Sequence, residues 1–276
     1  MSRRPPRLDD REGAAGEPSA APTAPPAPDQ RVLRARLAGP HERLGVTEVR
    51  SIVRRVALGH RDALLGLERF DDATEGTCEA ALRHHWGWRA EGSASWTDPA
   101  ATVAGWRAGV GRVLDVARRG GRIAFATGRP ASLLPTYARL VRTAVAEGAD
   151  LAVGTEAGSF SAGGRARCRL WWPEGVAVIT DGDALLADAA IAASEELLFS
   201  GELPDLVVAD RGFAAGAVRA GIEVVALADL DAVALGLTAA RGYPLTLVPL
   251  QAHRPPAAYA VLAALATEVA GRRPAG

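Results

Sequence analysis

Five short, largely β-branched runs in the second half of the chain, Arg122–Ala126, Ala152–Gly154, Val176–Ile179, Leu206–Val208 and Val224–Leu227, are separated by alanine-rich stretches of helical length. A weaker run, Leu245–Val248, follows. Strand-like runs alternating with helices predict a mostly parallel sheet. The expected fold is therefore α/β: a three-layer, Rossmann-like domain over residues 121–276 with a helical N-terminal flank. In such a sheet the carboxyl ends of the strands share one edge, and ligands bind in the crevice outside it. Four of the runs end in polar clusters: Thr127-Gly128-Arg129-Pro130, Thr180-Asp181-Gly182-Asp183, Asp210-Arg211-Gly212, and Asp229 with Asp231. Those clusters should meet in space.

The remaining elements follow from periodicity. Helices are expected over 131–147, 184–199, 213–220, 231–240 and 255–271, with an irregular insert at 155–174 that reads as a hairpin or a lid. Residues 1–29 are rich in Pro and Ala with little apolar bulk, which predicts a disordered tail. Residues 30–120 read as helical, with periodic stretches at Val32–Leu37, Val46–Leu67, Ala73–His85 and Pro99–Arg119. Asp98 precedes Pro99 as an N-cap should, and Arg118-Arg119-Gly120-Gly121 reads as a helix stop. No linker-like stretch separates this portion from Arg122, so it reads as a cap or flank on the sheet.

Charge narrows the partners. The 32 basic and 32 acidic residues cancel and the pI is near 7, so no bulk attraction to nucleic acid or an anionic membrane is expected. The expected partner is a small-molecule phosphate or another anion; the oligomeric state is open. All 32 basic residues are Arg. Without Lys, Schiff-base chemistry and the lysine of a phosphate-binding P-loop are excluded. Two cysteines, Cys78 and Cys168, make neither a disulfide framework nor a four-Cys zinc site. A reduced, cytoplasmic location is the expectation. No uncharged apolar stretch of about 18 residues predicts a transmembrane helix, and Arg3-Arg4 lacks the apolar segment of a secretion signal.

Thr127-Gly128-Arg129 leads from a strand into a helix, where free N–H groups and the helix dipole favour an anion. A guanidinium there adds bidentate geometry suited to phosphate. Thr127, Gly128, Arg129, Arg211 and Gly212 are thus candidate substrate-binding residues. Arg129 is expected to point into the crevice with Asp210 and Asp181, burying little surface. An ordinary strand–turn–helix junction would use the same residues. Asp181 and Asp210 are the candidate catalytic carboxylates, and Asp183 and Asp229 candidate ligands for a divalent ion such as magnesium. The plainer alternative is that these aspartates cap the helices that follow. His253 is a candidate acid/base, while His84-His85 lack further ligands at metal spacing and read as structural or surface residues.

The chain resembles a group of actinobacterial proteins described as phosphatases. The resemblance runs from about Ala35 to Leu262 and is carried by Arg122–Pro130, Pro204–Gly212, Ala228–Asp231 and Val248–Leu250. It implies phosphatase-like activity on a small phosphorylated molecule. The group's motifs read Ala-Thr-Gly-His-Pro, Thr-His-Ser, Asp-His-Gly and Pro-Leu-Asp-Asp. This chain has Arg129, Asp181 and Arg211 where histidines are usual, and Gln251-Ala252 where two acids are usual. Guanidiniums cannot give up a proton near neutrality. Two expectations follow: a phosphomonoester hydrolase working at the strand ends, or a non-catalytic anion-binding or regulatory protein descended from one. Thr-Gly-Arg-Pro after a strand is also similar to the second motif of haloacid-dehalogenase-type phosphatases. Their nucleophile strand comes first, however, and their lysine has no counterpart here.

Overall fold

The computed structural model describes residues 26–154, 160–162, 165–186 and 202–271. Its main sheet holds nine strands among the described residues. Strands β12 (Leu245–Pro249), β11 (Glu223–Ala228), β10 (Leu206–Ala209), β4 (Arg122–Ala126) and β8 (Val176–Thr180) lie side by side, all parallel. The short strand β5 (Asp150–Leu151) runs parallel to the start of β4, and β8 takes over beside its end. Between β5 and β8 the chain makes an antiparallel hairpin, β6 (Phe160–Ala162) and β7 (Arg165–Trp171), which extends the sheet through β7–β8 pairing. The insert is therefore a hairpin. The run read as Ala152–Gly154 pairs two residues earlier, at 150–151.

Counting β5 and β8 as one interrupted position, the parallel strands lie in the order 2-1-3-4-5. That is a doubly wound sheet, and its order reverses between β4 and β10, where a crevice opens outside the carboxyl ends. The fold is α/β, a mostly parallel mixed sheet flanked by helices.

Alternation along the strands splits the core into two layers, as period-2 geometry requires. Ile123, Phe125, Leu206, Val208, Val225, Leu227 and Val248 face one side. They pack against α1 (Pro28–Arg34), α4 (Pro99–Arg118), α5 (Pro130–Ala146) and α8 (Ala260–Ala270). Ala124, Ala126, Val207, Ala209, Ala226 and Ala228 face the other, against α2 (Val46–Ala57), α3 (Glu75–Trp86), α6 (Arg211–Arg219) and α7 (Val233–Ala240). Small strand residues on that face leave room for the bulky Trp86 and Phe213. On the first face, Gly105 and Gly109 of α4 allow the closest approach. A Cβ at Gly105 would lie 2.4 Å from the Leu247 carbonyl, and one at Gly109 2.8 Å from a Val225 methyl.

The N-terminal portion departs from an all-helical reading. It contains a three-stranded antiparallel sheet ordered β1 (Gly39–Gly45), β3 (Ala94–Thr97), β2 (Arg89–Glu91). The second helix stops at Ala57 rather than Leu67, because the chain turns through left-handed residues at Gly59, Leu65 and Gly66. Its helices are layers of the main fold, α4 lying across β12 and α3 against α7. Asp98 does cap α4, accepting from Ala100 N at 2.9 Å. Of the expected tail, residues 1–25 lie outside the described residues, and α1 begins at Pro28. The helix expected at 184–199 starts instead as strand β9 (Leu185–Leu186), paired antiparallel with β8; residues 187–201 lie outside the described residues.

Candidate functional site

Strand register brings the first two motifs level. Ala126 pairs with Ala209, so Thr127 and Asp210 leave the sheet side by side at the reversal point. Asp210, 1% exposed, accepts from the Thr127 hydroxyl at 2.5 Å, Gly128 N at 2.9 Å and the Tyr137 hydroxyl at 3.3 Å. Its side chain does not cap α6, although the residue occupies the N-cap position. Asp210 ties the β4–α5 turn to β10. Burial pushes its carboxyl above the ordinary range, against the opposing pull of Thr127, Arg129 and Gly128. Burial and the neighbouring Asp210 push the Tyr137 phenol well up, so it stays a donor.

Arg129 lines the strand-end crevice near Asp210, as expected, but away from Asp181 and far more deeply buried than an exposed crevice arginine. It is buried, donating to Asp229 at 3.3 Å and to Asp231 at 2.6 Å, with no bond to Asp210 or Asp181 among the described contacts. A guanidinium at this depth must lose water, and burial alone would lower its pKa; Asp231, Asp229 and Asp210 outweigh that and raise it. Arg211 donates to the same Asp231 oxygen. Its backbone is left-handed at φ 48°, a strained conformation for a non-glycine residue at the first turn of α6. The other Asp231 oxygen, Oδ1, is buried without a hydrogen-bond partner.

Asp229 sits two residues beyond the level of Asp210, because Ala226 pairs with Ala209. It is 2% exposed and bonded to His41 Nε2 at 2.7 Å, Leu230 N at 2.7 Å and Ala252 N at 2.9 Å, besides Arg129. Burial alone would raise its carboxyl; His41, Arg129 and Ala252 N–H outweigh burial and hold it well below the usual carboxylate range. His41 Nδ1 accepts from Arg43 N at 3.1 Å and Leu44 N at 2.9 Å. This leaves Nε2–H as the donor to Asp229.

In front of this network lies a cavity of about 420 Å³ lined by Arg43, Gly128, Arg129, Ala131, Ser132, Arg211 and His253. None of Asp210, Asp229 and Asp231 lines it, so the arginines form the wall and the carboxylates that hold Arg129 and Arg211 lie outside it. The N-terminus of α5 opens onto the same space. His253 Nδ1 lies 2.9 Å from Arg43 Nη1, and its Nε2 lies 3.8 Å from Asp229. Burial, Arg129 and Arg43 lower the imidazole pKa below its ordinary value. Thr127 and Gly212 are buried behind the wall, Gly212 in the first turn of α6.

The second motif lies elsewhere. Ala126 pairs with Ala177, so Asp181 stands three residues, about 10 Å, further along the strand direction than Thr127. Asp181 Oδ1 accepts from Asp183 N and Ala184 N in its own turn, and Asp183 is exposed. That turn borders a separate cavity with Arg169 and Trp171. Asp183 follows β8 and Asp229 follows β11, strands three positions apart in the sheet, about 14 Å. Among the described residues no three His, Cys, Asp or Glu side chains group as a metal site. The lone pairs of Asp229 are already taken by N–H donors and a guanidinium, a poor fit to a cation.

Sequence reasoning missed His41, Arg43 and Tyr137. The only trace of the first two was the break in helical periodicity across Gly39-Pro40 and Gly45. Tyr137 reads as one more apolar position of a helix.

The doubly wound sheet with its cationic strand-end crevice defines the class, and the sequence profile of the Phosphatase family matches residues 28–273. The chain belongs to the Phosphatase family. The chain is 29% identical over 216 residues to a Streptomyces coelicolor protein named Phosphatase SCO2771, covering 72% of this chain and 78% of that protein. No helix among the described residues is long and apolar enough to cross a membrane.

Proposed function

We propose that the crevice takes the phosphate group of a small phosphorylated molecule, and that the chain is a phosphatase-like protein acting on a phosphate monoester there. The observation that carries this reading is the convergence of Arg43, Arg129 and Arg211 on one cavity at the N-terminus of α5. Phosphoryl transfer is catalysed mainly by positioning and by stabilising charge on the phosphoryl oxygens. Preorganised guanidiniums supply both, and Asp229 and Asp231 fix Arg129 and Arg211 before a ligand arrives. In hydrolysis a water oxygen would bond to phosphorus as the ester P–O bond breaks, the leaving oxygen gaining a proton. A divalent ion such as magnesium would have to come with the substrate, since the oxygens of Asp210 and Asp229 already hold donors and the unpartnered Asp231 Oδ1 is a single buried ligand.

A second reading, a non-catalytic binding or regulatory protein, is favoured by that same occupancy. Neither Asp210 nor Asp229 has a carboxylate oxygen presented to the cavity. One experiment separates the two. The full chain is assayed with p-nitrophenyl phosphate and a panel of sugar phosphates, with magnesium, manganese, zinc or a chelator, alongside thermal shifts with inorganic phosphate. Turnover lost in Arg129→Met and Arg211→Gln supports the enzyme. A phosphate-induced shift without turnover supports the binding protein, and neither signal overturns both.

A further inference from the structure

Among the three guanidiniums at the cavity, Arg43 differs. Arg129 and Arg211 are held by Asp229 and Asp231, whereas the described contacts of the Arg43 side chain pair it with no carboxylate, only with the imidazole of His253 at 2.9 Å. Arg43 is exposed on β1, so its long side chain can swing at little cost. The backbone around His253 is held in place. The residue before it is fixed by Ala252 N donating to Asp229, and the residue after it by Arg254 N donating to the Tyr259 hydroxyl at 3.1 Å. An exposed cation thus rests on an imidazole whose backbone is tied down on both sides, at the wall of a cavity lined by guanidinium-bearing residues.

We infer that Arg43 and His253 form an anion-responsive pair: a phosphate in the crevice draws the Arg43 guanidinium off His253 Nδ1, and His253 takes up a proton as the dianion binds. This inference rests on the phosphate-binding reading of the crevice. The charge inventory supports it. The groups facing His253 are Arg43 from β1, Arg129 from the start of α5, and Asp229 and Asp231 after β11. Adding Arg211 and the buried Asp210 gives three guanidiniums against three carboxylates, a formal sum of zero. An entering dianion therefore leaves negative charge uncompensated. His253 is the titratable group at the cavity wall that can answer it, and Nδ1 becomes free to bind a proton once Arg43 has turned away. With Arg43 in place, burial and the two guanidiniums oppose protonation of the ring, and Arg43 turning away removes one of those three influences. The pair would favour dianionic phosphate monoesters over monoanionic diesters and carboxylates, and would leave a protonated imidazole beside the ester oxygen.

The test uses sulfate as the probe, a dianion that does not itself titrate near neutrality. Sulfate binding to the full chain is measured by calorimetry at pH 6 and pH 8 in buffers of different ionisation enthalpy. The imidazole C–H resonances of the five histidines are followed in parallel, with that of His253 assigned by its loss in His253→Gln. Binding should be about tenfold tighter at pH 6, with proton uptake and a His253 resonance that moves to the protonated position when sulfate is added. His253→Gln should lose the pH dependence, and Arg43→Gln should weaken binding at both pH values. Sulfate binding with the same pH dependence in wild type and His253→Gln, or with an unmoved His253 resonance, overturns the pair and leaves the crevice reading standing. No binding of sulfate or phosphate at either pH overturns both.

Discussion

Replacing Arg129 by Met isolates the charge at the centre of the network while keeping most of the side chain's volume. Arg129 is only 7% exposed, and its partner Asp229 is 2% exposed. Removing one member of a buried pair leaves the other charge uncompensated and costs about 3–5 kcal/mol. Here Asp229 keeps the donors of His41, Leu230 and Ala252, and Asp231 keeps Arg211. Those remaining bonds place the cost at the low end, about 3 kcal/mol, or roughly 150-fold in the folding equilibrium. With a urea m-value near 3 kcal/mol per molar, the unfolding midpoint should fall by about 1 M. Circular dichroism of urea unfolding reads this directly. The double variant Arg129→Met with Asp229→Asn should cost about 1–2 kcal/mol less than the sum of the singles, because a neutral amide needs no cation. A loss under about 0.5 kcal/mol would be that of a surface arginine, and with an additive double variant it would refute the buried-pair account.

Asp210→Ala should destabilise the chain by about 3 kcal/mol or more, since Thr127, Gly128 and Tyr137 each lose an acceptor in a buried site; chemical denaturation checks it. Gly105→Ala should cost roughly 2–3 kcal/mol by thermal or urea unfolding, because the new Cβ meets a backbone carbonyl that cannot rotate away. The depressed Asp229 carboxyl stabilises the fold at pH values above its unfolded pKa of about 3.9, and that contribution is lost as pH falls below it. The stability gap between wild type and Asp229→Asn should therefore shrink steadily from pH 5 to pH 2. A gap that is constant over that range would show that Asp229 is not held ionised by its partners.

Local chemistry carried much of the fold in the sequence itself. The apolar runs at 122–126, 206–208 and 224–227 became parallel strands because a short, nearly continuous apolar run between helices suits a strand buried on both faces. Asp98-Pro99 marked a helix start because a cap and a fixed proline φ act within a few residues. Thr127-Gly128-Arg129 and Asp210 were legible as neighbours for the same reason, since parallel strand ends share an edge. The charge partners were not legible. Asp229 is bonded to His41, 188 residues away, and to Arg129, 100 residues away, and no spacing rule links them. Nor did the sequence reveal that residues 39–45 form a strand, because Gly39, Pro40 and Gly45 mark only a break in a helix. That strand carries both His41 and Arg43 to the crevice.

The motif at 180–183 failed for a related reason. Its residue types suit a site, but β8 runs past the end of β4, so its carboxylates leave the sheet about 10 Å further along. Residue type and local period therefore determined which segments are strands, where α4 begins and which clusters end at the common edge. Strand register, the burial depth of Arg129 and the antiparallel return of β1 decided which of those clusters share one cavity. Only tertiary packing sets these distances, because a buried charge takes whichever partner the fold brings within hydrogen-bond reach.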